Sequence, residues 1–521
     1  MNRNRPARET LRDRALRASR RNFMTGAAAA AGTLAASGAP AAEKQQIENL
    51  ARLAEKASYL AFFDPADGSV PNPGMGVSGY VHSDHMYAAY TEEEVQRARR
   101  LPPLALDRAA FDRFIELPYL DNLYLRYDWR DLQKEKGKLH LPEDWKWTLE
   151  ACERRGKRWS FRIMNCTKGS MRENSMPDFL QGKLKMVRYW NDPGTRGPNP
   201  KSFPEYSDEY LDLWNELTML LGAAFDKHPL LEYVDISGYG FWGEWHNIAR
   251  YTGPEGPQTN YHPSPPGRVE AVADRLIRDH LAAFPTTPAV LNIHAAEYEA
   301  GQRAFAGGLV WARRDSFRYG FSTTEVRLAQ GIKPGNAMVW EIIRPGIYCP
   351  RDDAQTEEFY PLPQRYFDIS AHYAAMGFNA WDAIWAHKNC LKTYKAIEQH
   401  IGYRIRPSIV WRRKLRGKDE IVLGLRNDGC VGPPGRLTIR AVFPGGKESS
   451  VELPAGEPAP GAMKMYALPF LEGAGKDVAE KTFELSMRLK MKGKQSPVRW
   501  AVKKKQAADE FDLKIPLKGV S

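Results

Sequence analysis

Between residues 72 and 385 the chain alternates short apolar runs with longer stretches whose apolar positions recur at helical spacing. The apolar runs fall at 74–81, 122–127, 158–164, 231–236, 289–293, 309–312, 337–342 and 378–384, with the length and composition of buried strands. Between them, residues 209–225 place Leu211, Leu213, Trp214, Leu217, Leu220, Leu221 and Phe225 on one broad face, the spacing of a helix packed on a sheet. Residues 268–284 repeat that pattern after a proline-rich loop. Residues 91–99 run from acidic to basic, matching a helix dipole. Eight strands with intervening helices predict an α/β fold, a (β/α)8 TIM barrel. A doubly wound open sheet ranks second, because no GxGxxG follows a first strand.

After residue 402 the texture changes. Short alternating runs at 408–412, 420–426, 436–442, 482–490 and 498–503 are separated by Gly, Pro and an Asn427-Asp428-Gly429 turn. They predict a small antiparallel β-sandwich over 402–521, following a barrel domain over 43–401. Residues 169–207 form a long insertion after the third strand, in one of the loops from which TIM barrels build their sites.

The first 42 residues read differently again. Ser19-Arg20-Arg21-Asn22-Phe23-Met24 precedes a weakly apolar, alanine-rich run at 26–36 and then Ala39-Pro40-Ala41-Ala42. This resembles a twin-arginine export signal and implies cleavage near Ala41 or Ala42 and a periplasmic or secreted protein. No apolar run approaches the ~20 residues of a membrane helix, so no membrane association is expected after cleavage.

Charge refines this picture. The net charge of +12 divides into +6 for residues 1–42, +11 for 401–521 and −5 for 43–400. An acidic body argues against nucleic-acid binding, while a basic tail domain admits an anionic polysaccharide as partner. The five cysteines have no metal-like spacing; Cys349 and Cys390, both expected just beyond late barrel strands, are a candidate disulfide. No HExxH, P-loop, EF-hand or GxSxG is present, and His294 with Glu297 lacks a third ligand, so neither metal nor cofactor is expected.

The candidate chemistry centres on residues 230–246, where an apolar run leads into Gly238-Tyr239-Gly240-Phe241-Trp242-Gly243-Glu244-Trp245-His246. A carboxylate between two tryptophans is costly unless something uses it. Asn72-Pro73-Gly74-Met75-Gly76 opens the first strand, Tyr124-Leu125-Arg126-Tyr127-Asp128-Trp129 ends the second, and Phe161-Arg162-Ile163 closes the third. Together these motifs resemble the β-galactosidase-like glycoside hydrolases of the retaining-glycosidase clan, which join a (β/α)8 barrel to a C-terminal β-sandwich.

The resemblance implies hydrolysis of a poly- or oligosaccharide by two carboxylates, with Glu244 as acid/base after strand four and Glu341 as nucleophile at the end of strand seven. Arg126 matches the arginine that holds the nucleophile ionised. Retention requires the two carboxyls to lie about 5–5.5 Å apart. Most of the clan has Asn before the acid/base, bonding the sugar 2-hydroxyl; here Gly243 stands there. Asn165, His246, Asn292 and His294 are the candidate substitutes. Trp129, Trp242, Trp245, Trp311, Trp340, Trp381 and Trp385, half of the 14, fall near predicted strand ends, where their faces suit sugar rings. Asp382 and Asp315 are candidate hydroxyl ligands. The alternatives are a carbohydrate-binding barrel without catalysis, favoured by Gly243, and a polysaccharide lyase with a Tyr or His base.

Overall fold

The computed structural model describes residues 56–91, 105–166, 172–189, 201–245, 267–315, 331–342, 372–376, 391–471, 482–503 and 511–517, apart from single positions within them, and the pieces 93–94, 252–253 and 256–257. Eight parallel strands close into a TIM barrel: Gly76–His82, Asn122–Asp128, Arg158–Met164, Leu231–Asp235, Ala289–Asn292, Trp311–Arg314, Met338–Ile342 and Tyr373–Met376. Seven of these overlap the predicted runs. The eighth does not: the strand lies at Tyr373–Met376, where Tyr373 pairs with Val339 on one side and Gly76 on the other. Residues 378–384, the predicted run, lie outside the described residues. Ala374 and Ala375 have little intrinsic strand preference, and two flanking strands override it.

The helices pack their apolar faces on the outside of the barrel. Asp208–Phe225 is capped by Ser207, whose side chain accepts from the Tyr210 amide, and buries Tyr210, Leu211, Trp214, Leu217, Leu221 and Phe225. Val269–Ala283 packs beside it and buries Val272, Ala273, Leu276 and Ile277. The helix Glu143–Arg155 carries acids in its first turn and arginines in its last, and ends at the left-handed Gly156. The insertion after strand three contains a two-stranded antiparallel ribbon, Met186–Tyr189 with Lys201–Pro204. Among the described residues no helix is long and apolar enough to cross a membrane.

The C-terminal layer is antiparallel throughout. One sheet orders Lys56–Phe62, Ile405–Leu415, Lys418–Asn427 and Met463–Pro469; the other pairs Arg436–Val442, Glu448–Glu452, Thr482–Met491, Lys494–Pro497 and Leu513–Pro516. The strand Lys56–Phe62, within the span read as barrel, thus belongs to the C-terminal sheet through its pairing with Ile405–Leu415. This layer abuts the N-terminal end of the barrel. Tyr124, Tyr233, Val339 and Tyr373 of the barrel interior share one apolar cluster with Ile421, Leu437, Phe483 and Leu489 of the sheets. Polar ties reinforce the contact: Asn72 exchanges two hydrogen bonds with the Arg499 backbone, and the Tyr403 hydroxyl donates to the Pro73 carbonyl. Gly74 is left-handed (φ +74°), and a Cβ there would lie 2.4 Å from Pro434, so only glycine permits this approach.

Candidate active site

Strand periodicity builds the site. Alternate residues face one side of a strand, and the inward set changes from apolar at the bottom to charged at the mouth. Tyr124 is followed inward by Arg126, Ser160 by Arg162, Tyr233 by Asp235, Trp311 by Arg313 and Val339 by Glu341. The result is a buried cluster of three arginines and four carboxyls at the C-terminal end of the barrel, where such folds hold their chemistry.

Glu244 reaches this cluster from a tight turn after strand four. Trp242, Gly243 and Trp245 all take left-handed conformations, with φ of 55°, 68° and 63°. Non-glycine residues hold such angles at a cost of about 1–3 kcal/mol each, so the surroundings must fix them. Trp242 donates its amide to the Cys166 carbonyl, and the Trp245 indole donates to the Ile236 carbonyl. Phe241 packs edge-on against Phe203 of the ribbon, so the insertion buttresses the turn. A Cβ at Gly243 would stand 2.7 Å from Ser237 Cβ. The turn therefore excludes the asparagine that the resemblance leads one to expect.

The carboxyls are tied together by guanidinium groups. Glu244 Oε1 accepts from Arg126 Nη2 at 3.0 Å and from Arg162 Nη2 at 2.6 Å. Arg126 also donates through Nη1 to Glu341 Oε1 at 3.3 Å. Arg313 donates from Nη2 to Glu341 Oε2 and from Nε to Asp315 Oδ1, the latter at 2.8 Å. Asn292 donates to the other Asp315 oxygen. Asp235 accepts from the Tyr124 hydroxyl and lies 3.5 Å from Arg162 and 3.6 Å from Arg313. One oxygen from each of Glu244, Asp315 and Glu341 lies within 4.8 Å of the others. Such a trio has the ligand types for a cation, but every member already engages arginine, which supplies the positive charge a cation would bring.

These surroundings push the carboxyls apart in acidity. Burial, then the neighbouring Asp315 charge, pushes Glu341 up to about 8, against the opposing pull of Arg313 and Arg126. Burial also opposes ionisation of Asp315, but Arg313, a hydrogen bond from Glu341 and Arg162 outweigh it and hold that carboxyl well below its usual range. Asp235 is raised by burial against the pull of Arg313 and Arg162. The two carboxyls are thus displaced in opposite directions, Glu341 upward and Asp315 downward.

The candidate residues divide by position. Arg126, Glu244 and Glu341 converge. Asn292 acts through Asp315, and its other amide atom caps the turn at His294, which is half-buried. Trp242 is partly exposed beside Glu244, with its ring packed at a tilt against Phe241. Four tryptophans expected as sugar platforms are instead buried in the fold. Trp129 is fully buried edge-on against Trp214 and donates to Gln133. Trp245 is buried against Tyr239, and Trp340 faces the helix layer, on the other side of its strand from Glu341. Trp311 is buried beside Tyr233 below the charged layer. Asn165 is likewise committed to the fold, donating to the Tyr210 hydroxyl and the Gly238 carbonyl. His246, Trp381, Asp382 and Trp385 lie outside the described residues, as do Cys349 and Cys390. Arg313 and Asp235 were not anticipated; the inward alternation Trp311, Arg313, Asp315 was the available signal.

No protein-family model matches the chain, and no curated protein is significantly similar. Among solved structures, the catalytic domain of a β-amylase from Paenibacillus polymyxa aligns over 62% of this chain and 97% of its own, with 10% identity and a TM-score of 0.39. Endo-glycoceramidase II from a Rhodococcus species aligns over 79% of this chain and 100% of its own, at 10% identity and TM-score 0.35. A glycoside hydrolase family 5 enzyme from Prevotella bryantii aligns over 65% and 98%, at 10% identity and TM-score 0.34. Likeness at this level assigns no activity; the barrel is defined by its own strand order.

Proposed function

We propose that this chain is an exported glycoside hydrolase in which Glu244 and Glu341 cleave a glycosidic bond with retention. The observation that carries the reading is their spacing: one oxygen of each lies within 4.8 Å of the other, with Arg126 bridging them. Retaining enzymes need carboxyls about 5–5.5 Å apart, whereas inverting enzymes leave about 6.5–9.5 Å for a water. Export rests on the Arg20-Arg21 leader pattern.

The proton arrangement favours an order of roles opposite to the one implied by the family resemblance. Glu244 and Glu341 each accept two charge-assisted hydrogen bonds, Glu244 from Arg126 and Arg162 and Glu341 from Arg126 and Arg313, so the Asp315 charge beside Glu341 is what divides their roles and leaves Glu244 as the carboxylate nucleophile. Burial and the neighbouring Asp315 charge raise Glu341, which suits the group that gives a proton away. In the first step Glu341 protonates the glycosidic oxygen while Glu244 attacks the anomeric carbon; the C–O bond to the leaving group breaks and a glycosyl ester forms. Arg126 and Arg313 then face the new Glu341 carboxylate. In the second step that carboxylate takes a proton from water, which attacks the anomeric carbon and releases Glu244. Trp242 supplies the flat surface for a sugar ring.

The test is turnover of aryl α- and β-glycosides and of plant and algal oligosaccharides, with Glu244→Gln and Glu341→Gln as controls. Hydrolysis lost in both folded variants supports the reading. Sugar binding without turnover across the panel favours instead a binding barrel, for which the exclusion of asparagine at Gly243 is the motivating observation.

A further inference from the structure

The other end of the barrel carries a second concavity. A cleft of about 1320 Å³ runs between the N-terminal ends of the barrel strands and the C-terminal sheets. Seven lysine and arginine side chains line it against two carboxylates, Asp67 and Asp121. Some of these cations are cancelled locally: Lys503 pairs with Asp67 at 3.0 Å, Arg158 with the buried Glu232 at 3.3 Å, and Arg155 with Glu116.

Others are not. The Lys494 ammonium donates to the His228 and Leu231 carbonyls, both at 2.9 Å, and Lys157 donates to the Leu117 and Leu120 carbonyls. Carbonyls satisfy the hydrogen bonds without cancelling the charge. Lys227 is exposed and makes no ion pair among the described residues. Burial, against the pull of Asp226 and Glu232 and with the push of Lys492, lowers Lys494 to about 8, and burial lowers Lys157 as well. Asp121 beside Lys157, and Asp226 and Glu232 near Lys494, offset part of this charge, but the lining keeps an excess of partly desolvated cations over carboxylates, which favours an anion in the cleft.

We infer that this cleft is a second glycan site, holding an acidic polysaccharide strand through its carboxylate or sulfate groups at the opposite end of the barrel from Glu244 and Glu341. The choice of a glycan rests on the proposed glycosidase function. Nucleic acid fits the cleft poorly, because single strands need open stacking surfaces. Of the aromatic lining, Trp500 is buried and Phe511 already lies under the Arg499 guanidinium, 4.5 Å from its ring centre. A site here would tether the enzyme to its polymer while leaving the mouth free to cut.

The test uses the full chain, titrated calorimetrically at low and physiological salt with polygalacturonate and with dextran sulfate, which separate carboxylate from sulfate recognition. Neutral dextran and a single-stranded oligonucleotide of matched charge are the comparators. Binding of either acidic polysaccharide, weakened about tenfold or more in Lys227→Glu/Lys494→Gln and falling with salt, is the expected result. Glutamine at 494 keeps donors for the two carbonyls, and Lys227→Glu alone alters an exposed residue without a partner, so the pair separates charge from folding. Unchanged affinity in the variants, no binding of either polymer, or tighter binding of the oligonucleotide overturns the proposal. Turnover of neutral aryl glycosides should be the same in variant and parent; its absence in both would count against the glycosidase reading and leave the cleft measurement standing.

Discussion

Asp315 and Glu341, at the ends of the sixth and seventh barrel strands, are tied to the same guanidinium, Arg313, which donates from Nε to one and from Nη2 to the other. Two buried carboxyls held this close cannot both ionise cheaply, and the surroundings divide them: Arg313 and Arg162 hold Asp315 below its usual range, while burial and the Asp315 charge raise Glu341.

That division makes the activity profile a direct readout. With Glu341 as proton donor, kcat should fall as pH rises through about 8. Asp315→Asn removes the neighbouring charge that raises Glu341 and should move this limb about one to two units lower. The sign for stability is the same for Glu341: its contribution is fully present below the unfolded carboxyl value and is lost as pH rises through about 8. Asp315 runs the other way, with its contribution lost as pH falls through its depressed folded value. A kcat limb that does not move in Asp315→Asn would break the link between the two residues.

Arg313 is the keystone of the charge balance. Arg313→Met leaves Glu341 with Arg126 alone and strips Asp315 of its closest cation, all in a buried setting. Removing one partner of a buried ion pair costs about 3–5 kcal/mol, so denaturant midpoints should drop by that equivalent. A loss under about 1 kcal/mol would mean that water, rather than Arg313, neutralises the pair.

Gly243→Asn restores the residue the resemblance calls for, yet should not restore a sugar contact. Its Cβ would meet Ser237 at 2.7 Å with φ at +68°. We expect a loss of about 1–3 kcal/mol in stability together with reduced turnover. A stable variant with a lower KM would instead show that the turn opens to admit the side chain.

Two tryptophans give opposed expectations. Trp242→Ala should raise KM about tenfold with kcat and stability little changed, because the ring is partly exposed beside Glu244. Trp129→Ala should instead cost about 3–5 kcal/mol in stability, since it empties a fully buried position against Trp214 and Tyr210. Thermal melts and steady-state kinetics on the same preparations separate the two.

Much of the barrel was legible because a buried strand writes itself as an apolar run, and seven runs met the strands they predicted. The eighth was missed because Tyr373–Met376 has a helix-like alanine pair and becomes a strand only between two neighbours. Lys56–Phe62 was missed because its partner, Ile405–Leu415, is far away in sequence. The helix Glu143–Arg155 left a faint trace, since its buried face includes Thr148, Ala151 and Cys152 rather than large aliphatics. At the site, the motifs drew attention to Arg126, Glu244 and Glu341, which the structure brings together. Residue type alone could not say which way a tryptophan points: Trp340 and Glu341 are adjacent and face opposite sides of one strand. Arg313 escaped notice because its role exists only once strands six and seven lie side by side.

The central claim, that Glu244 forms the bond to sugar and Glu341 supplies the proton, is tested most directly by trapping the glycosyl ester with a 2-deoxy-2-fluoroglycoside and locating the label by peptide mass spectrometry. A stoichiometric label is expected on the peptide carrying Glu244, and none in Glu244→Gln. A label on Glu341 would reverse the roles, and steady turnover with inverted product and no label would rule out a glycosyl ester on either residue.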